Sequence, residues 1–268
     1  MKTSVIAIES MKGGVGKSNL TNILANELAY IFRTDPNYQT EKNKILVLDI
    51  DTQSTIYDKR DKDLKILHTN IESDEYKNLP EEQQIYIRTQ RRKYAYLQTE
   101  HNWFPYDIID VSPETADKAL EIIDSEQYDY VLLDFPGTLE QANTGELFLR
   151  INHLIIPTSS TDSDINGLKR FLKYIEDIDF AHLESVHFLF NRYETLKKRK
   201  FDEVQKAMEE EYGIEFLKTR IKDSTLADSN SILPLSISIN LNNGEIKQAM
   251  PCFAEFAYEV IEITQPYK

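Results

Sequence analysis

A single cysteine, Cys252, occurs in 268 residues. It excludes a disulfide framework and any cysteine-rich metal site built within one chain, and it points to a reducing compartment. A cytoplasmic protein is the expectation. No apolar run approaches the length of about 18 residues that suggests a membrane-spanning helix. The opening Met1-Lys2-Thr3-Ser4 passes after a few apolar residues into Glu9, which is not the pattern of a signal peptide. Cations are also scarce: 31 Lys and Arg stand against 45 Asp and Glu, a net charge of −14. That balance disfavours broad attraction to DNA or anionic lipid, although a local basic patch can still bind. Glycine is scarcer still, with eight in the chain, yet Gly13, Gly14 and Gly16 fall within four positions.

Those three glycines follow the apolar run Val5-Ile6-Ala7-Ile8 and precede a helical pattern, an order that reads strand, loop, helix. A bound triphosphate needs several backbone N–H groups turned into one concavity, and glycine permits this because no Cβ blocks positive φ or close approach. A helix beginning near Lys17 adds its unpaired N–H groups and the positive end of its dipole. Lys17 is then placed to neutralise the β- and γ-phosphates, and the Ser18 hydroxyl to bind Mg²⁺. The candidate nucleotide contacts along this stretch are Lys12, Gly13, Gly14, Val15, Gly16, Lys17, Ser18 and Asn19. A dinucleotide fingerprint is a poorer fit, because the third glycine of G-x-G-x-x-G is replaced by Asn19.

Further along, Leu20, Ile23, Leu24, Leu28 and Ile31 keep helical spacing up to Pro36, and Lys44–Asp49 is a nearly continuous apolar strand. Asp49 and Asp51 close that strand, and alternation predicts both on one side, where α/β sheets place their ligands. Tyr128–Asp134 repeats the pattern of an apolar strand ending in a carboxylate, the arrangement that positions Mg²⁺ and its waters, and Gly137 suits close approach to a phosphate. Strands are also predicted at Tyr106–Val111, His153–Thr158, Val186–Arg192 and Phe216–Ile221. Helices are predicted from Ala116, from Asp164 and over 245–264, the last burying Ile246, Ala249, Phe253 and Phe256 and exposing Glu255, Glu259 and Glu262. His153 and His187 read as packed neutral histidines. Residues 55–106 lose regularity: Asp58–Asp63 alternates in charge, and a helix after Pro80 carries Arg88, Arg91, Arg92 and Lys93, read as a solvated face. The densest basic run, Lys197-Lys198-Arg199-Lys200, opens a helix with Val204, Ala207 and Met208 inward. The fold expected is one α/β domain over 1–268: a doubly wound, mostly parallel sheet with helices on both faces and a partly helical elaboration at 55–106.

Lys12-Gly13-Gly14-Val15-Gly16-Lys17-Ser18 resembles the deviant Walker A motif, K-G-G-x-G-K-[ST], of the ParA/MinD family of dimeric ATPases. Asp49-Ile50-Asp51-Thr52-Gln53 resembles its D-x-D-P-Q segment, with Thr52 in place of proline, and Asp134-Phe135-Pro136-Gly137 its D-T-P-G signature, with Phe135 an unusual occupant. The resemblance implies ATP and Mg²⁺ as ligands, with Ser18, Asp49 and Asp134 at the metal. It gives Lys12, Lys17 and Asp51 catalytic roles, Lys12 reaching across a dimer to the partner's nucleotide and Asp51 aligning the attacking water. It implies Asn191, with Arg192 beside it, at the adenine, a homodimer when ATP is bound, and a ParB-like or other adaptor as partner. Non-specific DNA would meet Lys197, Lys198, Arg199 and Lys200. The acidic exposed face of the last helix argues against a membrane partner. The function implied is partition or maintenance of a plasmid or mobile DNA element; the alternative is a positioning ATPase that binds only protein, docking through 55–106 and Trp103. One cysteine excludes the superfamily's cluster-bridging reductases.

Overall fold

Short apolar runs become the middle strands of a seven-stranded parallel sheet, because a parallel strand covered by helices on both faces has no solvent side on which to alternate. In the computed structural model, which describes every residue except 1, 11, 13, 40–43, 52–54, 113, 137–144, 178–181, 224–231, 241 and 265–268, the strands are β1 (Ser4–Ile8), β2 (Ile45–Asp49), β3 (Asp107–Asp110), β4 (Tyr130–Asp134), β5 (His153–Thr158), β6 (Ser185–Tyr193) and β7 (Phe216–Lys222). Their order is β3-β2-β4-β1-β5-β6-β7. Strands β2, β4 and β5 are buried at every position, whereas the edge strand β3 has exposed ends.

The helices are α1 (Lys17–Thr34), α2 (Thr55–Leu67), α3 (Asp74–Lys77), α4 (Glu81–His101), α5 (Ala116–Asp124), α6 (Gly145–Phe148), α7 (Asp162–Asp177), α8 (Lys198–Tyr212) and a closing helix (Pro251–Thr264). Alternation along β1 sends Ile6 and Ile8 to a core shared with Leu20, Leu24 and Leu28 of α1 and Phe253 and Phe256 of the closing helix. Val5 and Ala7 go to the opposite core, with Leu168 and Phe171 of α7 and Phe201 of α8. The doubly wound architecture is therefore present. Among the described residues no helix is long and apolar enough to cross a membrane.

Four expectations are corrected. The helix over 245–264 begins only at Pro251; Ile246–Gln248 is instead a strand, β9, paired antiparallel with β8 (Ile237–Ile239). Gly244, at φ +75°, turns that hairpin, and proline suits the first helical position because its missing N–H has no partner there anyway. Glu259 is not idle surface: it accepts from the backbone N–H of Lys218 at 2.6 Å and Thr219 at 2.9 Å, covering the free edge of β7. Ala207 is exposed on α8, and Phe201 and Met208 are the buried residues there.

The fourth correction concerns the elaboration. Trp103 is fully buried, packed edge-on against Tyr94, and cannot be a docking residue. Lys93 is buried too; its ammonium donates to the carbonyls of Pro234 and Ile237, the latter at 2.6 Å. Beside it the Glu27 carboxylate of α1, fully buried, accepts from Leu235 N–H at 2.7 Å, Ser236 N–H at 2.9 Å and the Ser236 hydroxyl at 2.6 Å. Further contacts run along α1: Lys59 donates to Asn19 at 2.9 Å, Tyr106 to Asn22 at 2.6 Å and Asn26 to Asn22 at 3.3 Å. The helix behind the glycine-rich loop is thus bonded along its length to the elaboration and to the 232–237 segment.

Candidate functional site

The carboxyl ends of β2, β4 and β1 lie side by side, and the register sets Asp49 opposite Asp134. Over them runs the loop into α1. Gly14 and Gly16 adopt φ of +78° and +92°, conformations that side-chain-bearing residues rarely tolerate. Gly16 is the N-cap of α1 and supplies no side-chain cap; the first intrahelical bond is Leu20 N–H to Gly16 O at 2.9 Å, so the N–H groups of Lys17 and Ser18 have no partner within the helix. No acidic residue occupies the first turn. Asn191, near the carboxyl end of β6, braces the loop: its amide donates to Val15 O at 2.7 Å, and its Oδ1 accepts from Arg192 N–H at 3.0 Å. A Cβ on Gly16 would stand 2.7 Å from Asn191 Nδ2, so a side chain there would strain φ and push the Asn191 amide away from Val15. Arg192 itself is exposed, at φ +56°. Gly13 and Gly137 lie outside the described residues.

Beneath the loop Lys17 is buried, its ammonium 2.5 Å from Glu9 Oε1, 3.2 Å from Ser10 O and 3.5 Å from Pro136 O. Burial pushes the Glu9 carboxyl up to about 7, against the pull of Lys17. Asp49 accepts at Oδ2 from the N–H groups of Ile56 and Tyr57, both at 2.9 Å, and so caps the start of α2. Burial raises it to about 6. Asp134 is raised to about 8, again by burial, with the Ser18 hydroxyl offsetting part of the effect and Asp49 and Glu9 adding to it. Asp51 lies beyond the end of β2, half-buried, so strand alternation does not extend to it; it is still near enough to raise Glu9 and Asp49.

Four carboxylate oxygens at these three strand ends, Glu9 Oε2, Asp49 Oδ1 and both of Asp134, are buried with no partner at hydrogen-bond geometry, the Ser18 hydroxyl standing near Asp134 without closing such a bond. Acceptor-only groups withdrawn from water in this way are costly unless something positive meets them. Among the described residues no three His, Cys, Asp or Glu side chains converge closely enough to hold a metal by themselves. The donor set fits a hard cation of the Mg²⁺ kind, which takes one or two protein oxygens and fills its shell with water and phosphate.

Lys12 lies apart from this cluster. Its ammonium is bonded to Asp164 in the first turn of α7, and its stem crosses Gly167, where a Cβ would come within 3.2 Å of Lys12 Cβ. Asp164, partly buried, is nevertheless held below its ordinary range by hydrogen bonds from Lys12, Ser159 and Thr161. The basic run after β6 is largely self-neutralised: Lys197 meets Glu194 at 2.5 Å, Arg199 meets Glu203 at 2.9 Å and Lys200 meets Asp162 at 3.8 Å. Sequence reasoning missed Glu9 and Asp164. For Glu9 a signal existed, an acid directly after four apolar strand residues.

Comparison with curated protein sequences gives no match. Among solved structures, a Borrelia burgdorferi protein assigned to plasmid partition and bound to AMPPNP is 17% identical, with 99% of each chain covered and a TM-score of 0.57. The MinD cell division protein of Aquifex aeolicus is 19% identical over 97% of each chain, TM-score 0.57. pNOB8 ParA bound to nonspecific DNA is 18% identical over 99% of this chain and 100% of its own, TM-score 0.57. A family model described as an AAA domain matches residues 3–187. The chain belongs to that family, and its fold is that of the ParA/MinD-type P-loop ATPases.

Proposed function

We propose that the chain is a Mg²⁺-dependent ATPase that dimerises on binding ATP and serves the partition or maintenance of a plasmid or other mobile DNA element in the cytoplasm, with a ParB-like partner. The observation that carries the reading is the meeting, at the start of α1, of the Lys17 and Ser18 N–H groups and the Lys17 ammonium with a set of buried carboxylate oxygens. The backbone from Gly13 to Asn19 cradles the phosphates, with Lys17 at the β- and γ-phosphates and Gly137 close to the γ-phosphate. Ser18, Asp49 and Asp134 hold Mg²⁺, directly or through water; the ion, when bound, neutralises charge on the phosphate oxygens. Asp51 orients the attacking water. Lys12 leaves Asp164 and reaches the nucleotide of the second subunit. Asn191 and Arg192 flank the base, Asn191 while bracing Val15. Hydrolysis removes the γ-phosphate contacts and with them the dimer. Binding of ATP-loaded protein to duplex DNA across a salt series is the direct test: salt-sensitive binding supports the reading, and its absence at low salt removes DNA as the track.

A second reading, a positioning ATPase that binds protein and not DNA, is favoured by two observations. The basic run is mostly paired with carboxylates. Four of the six exposed large apolar side chains among the described residues, Tyr57, Ile71, Ile85 and Phe104, belong to the elaboration. Loss of a captured partner on substituting these four to serine, with no DNA binding in the parent, would select this reading.

A further inference from the structure

The lysine of the phosphate loop already has an anion. Lys17 Nζ lies 2.5 Å from Glu9 Oε1, with the Lys17 side chain 9% and that of Glu9 1% exposed, and Ser10 N–H fixes the same carboxylate oxygen at 2.7 Å. An ammonium has three donors. Here two go to Glu9 and Ser10 O, and the third points to Pro136 O at 3.5 Å, so the ammonium is already directed at protein oxygens. We propose that Glu9 is an internal counter-ion that holds Lys17 from beneath and sets the affinity of the site for nucleotide. Glu9 is thus a positioning residue acting through Lys17, and the inference rests on reading the loop as a nucleotide site.

Releasing a carbonyl costs Lys17 little, because neutral acceptors hold it weakly. Releasing Glu9 strands a carboxylate with one remaining hydrogen bond and one oxygen that never had a partner. The charges facing Glu9 deepen the deficit: Lys17 from α1 is the cation, and Asp51 after β2 and Asp134 on β4 are further carboxylates. A phosphate entering above Lys17 must therefore compete with Glu9 for the same ammonium and also meet its repulsion. Held this way, the site is tuned toward weak binding and ready release, properties a switch requires.

The test is Glu9→Gln, which keeps the shape and still accepts from Ser10 N–H but carries no charge. Fluorescent ADP and AMPPNP are titrated into both proteins, and thermal midpoints are taken with and without nucleotide. The nucleotide affinity of E9Q is expected to rise about tenfold, the gain of a charged contact no longer contested. Its nucleotide-free midpoint falls while its nucleotide-induced rise grows, a pair of opposite shifts that a merely structural role would not produce. If the parent protein binds neither nucleotide, the nucleotide-site reading fails and this inference with it. If the parent binds and E9Q binds equally or more weakly, the inference alone is overturned. Should E9Q not fold, Glu9→Asp withdraws the charge by one methylene and is expected to shift affinity in the same direction; equal or weaker binding by E9D overturns the proposal.

Discussion

Lys12 must change partners if the proposed dimer forms, and the structure puts a magnitude on that step. In the single subunit its ammonium is bonded to Asp164, with the two side chains 33% and 14% exposed. A pair this open to water contributes about 1 kcal/mol. Two such pairs are broken per dimer, so about 2 kcal/mol is withdrawn from association, or about 30-fold in the dimer dissociation constant. Asp164→Asn keeps the side-chain shape and its contacts with Ser159 and Thr161 but removes the charge that holds Lys12. AMPPNP-loaded D164N is therefore expected to dimerise about 30-fold more tightly than the parent in sedimentation velocity over a concentration series. The nucleotide-free variant should remain monomeric. Equal or weaker dimerisation by D164N, at unchanged nucleotide affinity, would refute the view that Asp164 restrains Lys12.

Three further outcomes are expected. Glu27→Ala abolishes three hydrogen bonds and leaves buried Lys93 without its nearest opposite charge; a loss of about 3–5 kcal/mol in urea denaturation is expected, and one below about 1 kcal/mol contradicts the packing described. Burial lowers His153 from 6.5 to about 4, so between those values the unfolded chain binds the proton more readily than the folded one, and the stability from the neutral ring is lost as pH falls through that window. Replacing His153 by Gln should flatten the stability profile there, and an unchanged profile would show that other groups set it. Reversing charge at Lys197, Lys198, Arg199 and Lys200 should abolish salt-sensitive DNA binding under the partition reading and leave it untouched if this run is only a self-paired surface.

The middle of the sheet was legible because strands buried on both faces announce themselves as unbroken apolar runs, as at Ile45–Leu48 and Tyr130–Leu133. The carboxylates that end those runs were legible for the same reason, since a charge after such a run has to sit at the strand's end. The error at Ile246 and Ala249 arose because two apolar residues three apart fit a helix as readily as a hairpin strand and the chain after it; Gly244 and Pro251 were the better signals. Lys93 and Trp103 were misread because their burial depends on the 232–237 segment and on helix packing far along the chain. The same limit hid the partners of Lys12 and Lys17. Both lysines were found from the motif, but which acid each one holds is settled by how β1 and α7 come to lie around the loop.

The row of bonds along α1 has a mechanical consequence. A helix seated only on leucines is held by many individually small, non-directional contacts. The contacts Lys59–Asn19, Tyr106–Asn22 and Ser236–Glu27, at 2.9, 2.6 and 2.6 Å, behave instead like the teeth of a pinion. A shift of α1 must therefore either carry the elaboration and the 232–237 segment with it or break these bonds.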